Sequence, residues 1–271
     1  MAKIFSFASW NVKHFSGRAD RVDRVTDLLG QKNPDVFALF EVRGKDVFTP
    51  LMEKMPDHSF TITENTVQND MEILVGVRKG MQHFITQREE FQSKTPTLRP
   101  GALATLRISG EMYSALFLHV KSFPDPRAWG LRDDMFKRAA GLKRKLDGNL
   151  APGTPNMLCL GDLNTMGLNA PYNDVSDLTA AQELEFLTHR MNAVRMRRLQ
   201  KSHDQTWWNG RDNTAPSDLD HAFASDHLNV VAPGGAEIET VGWPEKPSAD
   251  ERRDWIDQFS DHALLYGEVH D

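Results

Sequence analysis

The chain has 271 residues, 39% hydrophobic and 26% charged, a balance that excludes intrinsic disorder and is enough for a substantial core. Its net charge of −6 argues against a globally basic nucleic-acid coat, without speaking to a local cleft. The single cysteine, Cys159, excludes an internal disulfide and any cysteine-based metal site.

The opening "MAKIFSFASWNVKHF" lacks the basic and apolar regions of a secretory signal and reads as a strand. No apolar run approaches the ~18 residues of a membrane span. The expectation is a cytoplasmic protein without membrane insertion, taken as a monomer.

A helix follows, with Val22, Val25, Leu28 and Leu29 on one face, stopped by "GQKNPD". Strand-length apolar or alternating runs come next: "DVFALF", "SFTITE", "EILVGVR", "ALATLRI" and "YSALFLHV". The segment "SFPDPRAWGLRDD" reads as a loop. Met135, Ala139, Leu142 and Leu146 then mark a second helix ending before Gly148. After the strand "NMLCLGD", Leu184, Leu187, Met191, Val194 and Leu199 predict one long helix from about Thr179 to Gln200. The loop "NGRDNTAPSD", the strand "LDHAFAS", the loop "GWPEKPSADERRDW" and the strand "ALLYGEV" complete the chain. Many strands, few helices and no linker predict a single α/β domain over residues 1–271, built on packed sheets. Two basic clusters, Lys137, Arg138, Lys143, Arg144 and Lys145, and Arg190, Arg195, Arg197, Arg198 and Lys201, read as solvated helix faces.

The ends of the strands carry the chemistry. Asn11, Glu41, His119, Asp162, Asn164, Asp220, Asp261 and His262 all lie at or beside predicted strand termini. Buried carboxylates and imidazoles are costly without partners, so such a set suggests one shared site. Carboxylates with amides and no cysteine form a hard-oxygen environment suited to magnesium or manganese and to phosphoester chemistry.

The series "SWNVKHF", "LFEV", "LHVKS", "GDLNTMG", "QTWW…SDLDHAFAS" and "FSDHALL" resembles the endonuclease/exonuclease/phosphatase superfamily from one end of the chain to the other. The resemblance implies a four-layer αββα sandwich, two mixed β-sheets face to face flanked by helices. It implies Glu41 as principal ligand of a Mg2+ ion for which Mn2+ can substitute, with Asn11 close by and Asp261 available. It further implies that Asp162 aligns and deprotonates water, that Asn164 donates to a phosphate oxygen, and that His119 and His262 face the scissile phosphate, His262 being oriented by Asp220. The chain departs from the pattern at Phe40, where many relatives have Gln, and at Leu163 for Phe; Asp218 stands where Arg is frequent and His221 where Tyr is usual.

Ser-Asp-His occurs twice, at Ser225-Asp226-His227 and Ser260-Asp261-His262. His227 is roughly 23 Å from Asp220 if the strand between them is extended, too far for a hydrogen bond. The second tripeptide is therefore assigned to catalysis, the first to a turn, and His14 and His221 to structural or surface roles. Trp207 and Trp208 are candidate substrate-binding residues, because aromatics beside basic residues stack on bases. The expected function is a magnesium-dependent phosphodiester hydrolase, a nuclease acting on DNA or RNA. The alternatives are hydrolysis of a lipid (sphingomyelinase-like or phosphoinositide) or small phosphoester, and a non-hydrolytic binding module.

Overall fold

The structure is a computed structural model that describes residues 2–16, 19–44, 46–64, 71–149, 155–170 and 177–271. In chain order its elements are β1 (Lys3–Phe15), α1 (Ala19–Lys32), β2 (Val36–Val42), α2 (Phe48–Lys54), β3 (His58–Ile62), β4 (Glu72–Arg78), β5 (Gln82–Arg88), β6 (Gly101–Ile108) and β7 (Glu111–His119). They continue with α3 (Pro126–Asn149), β8 (Asn156–Asp162), α4 (Ala180–Asn192), β9 (Met196–Arg198), β10 (Asp220–Ser225), β11 (Asn229–Val230), β12 (Glu239–Val241), α5 (Ala249–Gln258) and β13 (Leu264–His270). One sheet runs β11-β13-β1-β2-β4-β3, with β12 also paired to β13, and the other β5-β6-β7-β8-β10-β9. Both are mixed: β1 lies parallel to β2, and β7 parallel to β8, among antiparallel neighbours.

Period-two alternation builds the layers. Phe5 and Phe7 of β1, Val36, Ala38 and Phe40 of β2, Ala115 and Phe117 of β7, Leu158 and Leu160 of β8 and Ala222 and Ala224 of β10 share one core between the sheets. The opposite faces of β1 and β2, with Ala8, Trp10, Phe37 and Leu39, pack on Val22, Val25 and Leu29 of α1, Leu51 of α2 and Trp255 and Ile256 of α5. Leu116, Met157, Cys159 and Phe223 pack outward on α3 and α4. The result is the four-layer αββα sandwich that the resemblance implied.

Several stretches differ from the sequence reading. The helix expected from Thr179 to Gln200 ends at Asn192, because Arg195 takes a left-handed φ of 58° and Met196–Arg198 pair with β10 as an edge strand. Pairing available only in the folded state thus overrides helix periodicity. The "loop" at "SFPDPRAWGLRDD" is helical from Pro126 onward: the Asp125 carboxylate accepts from the backbone N–H of Arg127 and Ala128, and Pro126 occupies the first helical position, where its missing N–H costs nothing. Likewise "GWPEKPSADERRDW" contains α5, opened by a reciprocal cap between Ser248 and Glu251. The helix α2 and the strands β5, β11 and β12 have no counterpart in the sequence reading.

Of the two basic clusters, Lys137, Arg138 and Lys143 pair within α3 with Asp133, Asp134 and Asp147, Lys143 being buried, Arg190 pairs from α4 to Asp133 of α3, and Arg195, Arg197, Arg198 and Lys201 lie past the end of α4. Among the described residues no helix is long and apolar enough to cross a membrane.

Candidate active site

The inward-facing rows of four strands run out at the same rim. Beyond Phe5 and Phe7 the inner row of β1 continues to Ser9 and Asn11; beyond Phe117, Leu160 and Ala222 it ends on His119, Asp162 and Asp220. Register then fixes the neighbours, since Asp162 lies directly opposite both His119 and Asp220.

Glu41 reaches this rim by a different device. Simple alternation would turn it outward with Phe37 and Leu39, but its φ of 61° and a register break on both sides of β2 invert the phase, so that Val42, not Glu41, joins the outer core. The neighbouring strand breaks register at the same level, where Lys13 and His14 take φ values of 39° and 49°. This is the geometry of a β-bulge, which re-aims a side chain at a strand end. Gly161, before Asp162, has φ 143°, and a Cβ there would lie 2.0 Å from the Leu118 carbonyl oxygen; only glycine lets β7 and β8 close at the point where His119 meets Asp162.

The polar atoms converge on Asp162. The Asn11 amide nitrogen donates to its Oδ2 at 2.9 Å and to Glu41 Oε1 at 3.3 Å. His119 Nε2 lies 3.4 Å from Asp162 Oδ2 and 3.9 Å from Glu41 Oε1. The backbone N–H of Asn164 donates to Asp162 Oδ1 at 3.2 Å, while its side-chain amide donates to the Val120 carbonyl at 3.2 Å. His262 Nδ1 is 2.9 Å from Asp220 Oδ2, and its Nε2 faces Asp162 Oδ2 at 3.9 Å. Ser260 donates to the Asn11 carbonyl at 2.7 Å and the Trp10 indole donates to the His262 carbonyl at 2.9 Å, which fastens the segment before β13 to β1.

Burial and charge set the protonation states. Burial pushes the Asp162 carboxyl up to about 7, reinforced by Asp220 and Glu41 and opposed by His262. For His262 burial acts downward, but Asp220 and Asp162 outweigh it and raise the imidazolium to about 10. His119 is held well below the usual histidine range by burial and by the charges of Arg99, His262 and Lys121. One rim therefore carries an imidazolium, a neutral imidazole and a carboxylate poised near neutrality, the divergence expected of acid–base machinery.

The structure brings most of the sequence-predicted residues together. Asn11, Glu41, His119, Asp162, Asn164, Asp220 and His262 are joined through these hydrogen bonds and ion pairs, and Asp261 is paired with Lys13 at 3.0 Å. His227 sits past the opposite end of β10, bonded to Asn156 Oδ1 at 2.8 Å, so the two Ser-Asp-His tripeptides occupy different ends of the molecule. His221 faces away and contacts Thr165 Oγ1 at 2.8 Å, and Asp218, in the place of the frequent Arg, pairs with Lys201.

Trp208 is a correction: it is 7% exposed, packs on Trp243, and its indole donates to the Thr214 carbonyl at 2.8 Å, which makes it a core residue. Trp207 is half-buried and pairs through its backbone with His262. Arg132, which lies in the stretch read from sequence as a loop, is fully buried against Glu183. Two further residues border the rim. His14 is exposed, as expected, and also puts Nδ1 3.1 Å from Glu41 Oε2, while Lys13, not singled out in the sequence, meets Asp261. Their signal lies in the run Asn11–His14, within β1 where its register with β2 breaks.

Of the residues expected at a metal ion, Glu41 and Asp261 offer carboxylate oxygens, and the Asn11 amide oxygen accepts from the Lys13 N–H at 3.0 Å while its nitrogen holds both Glu41 and Asp162. A second group, Asp162, Asp220 and His262, offers ligand atoms within 4.8 Å of one another and could also bind a metal ion. There His262 could ligate only through Nε2, since Nδ1 is bonded to Asp220, and would have to give up the proton that Asp220 and Asp162 hold on it. Glu41 and Asp261 offer oxygen ligands alone, the donor chemistry that suits a hard divalent ion.

Fold and site together define a hydrolase of phosphoesters. The chain belongs to the endonuclease/exonuclease/phosphatase family, whose sequence pattern matches residues 8–262 and whose enzymes are metal-dependent. Among solved structures it resembles truncated TDP2 of Caenorhabditis elegans (18% identity, 98% of this chain and 97% of that one, TM-score 0.67). It also resembles D. rerio TDP2 complexed with a single-strand DNA product (17%, 98% and 99%, TM-score 0.61) and an endonuclease/exonuclease/phosphatase from Bacteroides vulgatus (13%, 98% and 98%, TM-score 0.62). At these identities the likeness is one of fold. No curated protein sequence matches the chain.

Proposed function

We propose that the protein is a magnesium-dependent nuclease that hydrolyses a phosphodiester of DNA or RNA by in-line attack of water. The observation that carries the reading is the pairing of a carboxylate near neutrality, Asp162, with an imidazolium held by Asp220, His262, across one rim. The likeness to a fold solved with a single-strand DNA product favours a polynucleotide over a lipid or small phosphoester.

In this mechanism water attacks phosphorus from the side of Asp162, whose Oδ2 takes its proton as the new P–O bond forms and the bond to the leaving oxygen breaks. His262, protonated and fixed by Asp220, donates from Nε2 to a phosphate oxygen as charge develops there. Neutral His119 hydrogen-bonds through Nε2, and Asn164 holds Asp162 through its backbone N–H. A divalent cation held by Glu41 and Asp261 would supply further positive charge to the phosphate oxygens. Trp207 stands next to the site as a surface for a base.

The direct test is nicking of supercoiled plasmid with magnesium or chelator. Magnesium-dependent nicking is expected in wild type and in His227→Ala, and its loss in His262→Ala. An untouched plasmid with active cleavage of a lipid phosphodiester would give the reading to the alternative substrate class.

The two shifted groups also set a pH profile. Asp162 must be ionised and His262 protonated, so kcat/KM should rise through about pH 7, hold, and fall through about pH 10. Asp220→Asn removes the main upward push on His262 and should bring the alkaline limb to lower pH. An alkaline limb that stays in place would exclude His262 as the group responsible.

A further inference from the structure

Beside the rim lies a pocket of about 520 Å³ whose lining includes Met71, Arg99, Lys121, Phe123, Asp125 and Arg127. Three of these are cations and one is an acid. Asp125 is already used, its carboxylate capping α3. Among the described residues, none of the three cations has a carboxylate within salt-bridge distance, whereas Arg132, Lys137, Arg138 and Lys143 of α3 are each paired with one. Arg99 is half-buried, its guanidinium held by the Met71 carbonyl at 3.1 Å. Burial, Arg99 and Arg127 all act to lower the affinity of the Lys121 amine for its proton, so like charges are gathered here.

The pocket is continuous with the site in charge. Arg99 acts on His119, and Glu41 and Asp162 act on Arg99. At its mouth Phe123 is 59% exposed with φ 83°, a conformation a non-glycine residue adopts only when its surroundings impose it. The imposing group is fully buried Arg132, which donates to the Phe123 carbonyl at 2.5 Å and to the Lys121 carbonyl at 3.2 Å. Lys121 Nζ in turn stands 4.9 Å from the Phe123 ring centre. An aromatic face is therefore held out in water beside three cations without carboxylate partners, a combination that suits a phosphate with an attached base.

We propose that Arg99, Lys121 and Arg127 bind the phosphate adjacent to the one cleaved, and that Phe123 stacks on the base between them. The proposal rests on the nuclease reading for its substrate class and narrows it to a single strand whose bases are free to stack. Small phosphoesters, with no second phosphate, leave the pocket empty.

The test is binding, measured apart from turnover. Fluorescence anisotropy of a labelled oligothymidylate, in chelator and over a range of salt, compares wild type with Lys121→Ala/Arg127→Ala and with Phe123→Ala, circular dichroism confirming that each is folded. The double variant is expected to bind at least tenfold more weakly at low salt, with the slope of log K against log salt reduced by about 0.7 for each phosphate no longer neutralised. Phe123→Ala is expected to weaken binding by roughly fivefold to a hundredfold with the slope kept. Variants that bind with wild-type affinity and slope overturn the subsite, as does a wild type that binds no oligonucleotide. A wild type that binds through the pocket yet cleaves no oligonucleotide with magnesium defeats the nuclease reading and leaves the subsite standing.

Discussion

Asp162→Asn is expected to slow turnover by about a thousandfold while making the magnesium-free protein more stable at pH 8. The catalytic half follows from removing the group placed to take the proton from water in a side chain of the same shape, which keeps one acceptor oxygen for either the Asn11 amide or the Asn164 N–H and gives up the other bond. The stability half follows from linkage. Burial raises the folded-state value of Asp162 from 3.8 to about 7, so its ionisation opposes folding. That opposition is absent below pH ~4, grows as pH rises through about 7, and is constant above, reaching on the order of a few kcal/mol. Asparagine carries no charge at any pH. The variant's melting temperature should exceed that of wild type by several degrees at pH 8 in chelator and converge on it near pH 4, at roughly 2–4 °C per kcal/mol for a chain of this size. An Asp162→Asn protein that melts below wild type at pH 8 would refute the account of Asp162 as a strained, desolvated carboxylate.

Arg132→Ala is expected to destabilise the fold by about 3–5 kcal/mol. Arg132 has no exposed surface and Glu183 has 3%. The guanidinium donates to both Glu183 oxygens at 2.7 and 2.9 Å, and to the carbonyls of Lys121, Phe123 and Gly167. Glu183 also accepts from the Gly167 N–H at 2.7 Å. One side chain thus joins α3 to α4 and to two segments that follow catalytic strands, and its loss leaves a buried carboxylate unpaired. Lysine offers one point charge in place of the fork and should recover little. Urea unfolding midpoints measure the effect. In the double variant Arg132→Met/Glu183→Gln the loss should be smaller than the sum of the single losses, since neither charge remains. A single-variant loss under about 1 kcal/mol would show that water reaches the pair.

Much of this arrangement is legible along the sequence, for a definite reason. His119, Asp162 and Asp220 end apolar alternating runs, and in a strand the last inward position can be counted from the first, so their convergence follows from period two alone. The pairing of Asp220 with His262 rather than His227 is legible from distance along an extended chain. What stays hidden depends on three dimensions. Glu41 is legible as a site residue, but the bulge that turns it, His14 and Lys13 onto the rim is not, since nothing in the residue types of "LFEV" announces a left-handed φ. Trp208 resembles its neighbour Trp207 in sequence, and only the packing of Trp243 separates core from rim. The caps at Asp125-Pro126 and at Ser248 and Glu251 are readable in the residue types, whereas the early stop of α4 is not, since β9 exists only against β10.

The rim draws Asn11 and Glu41 from one sheet and His119, Asp162 and Asp220 from the other, with His262 on the segment that leads back into the first. No single sheet contains a working set. The reactive geometry is therefore a gauge of the gap across the sandwich, as sensitive to the thickness of Phe5, Phe40 and Phe117 deep in the interior as to the polar groups themselves. A molecule whose sheets had each formed but not yet docked would have its full complement of strands and no active site at all.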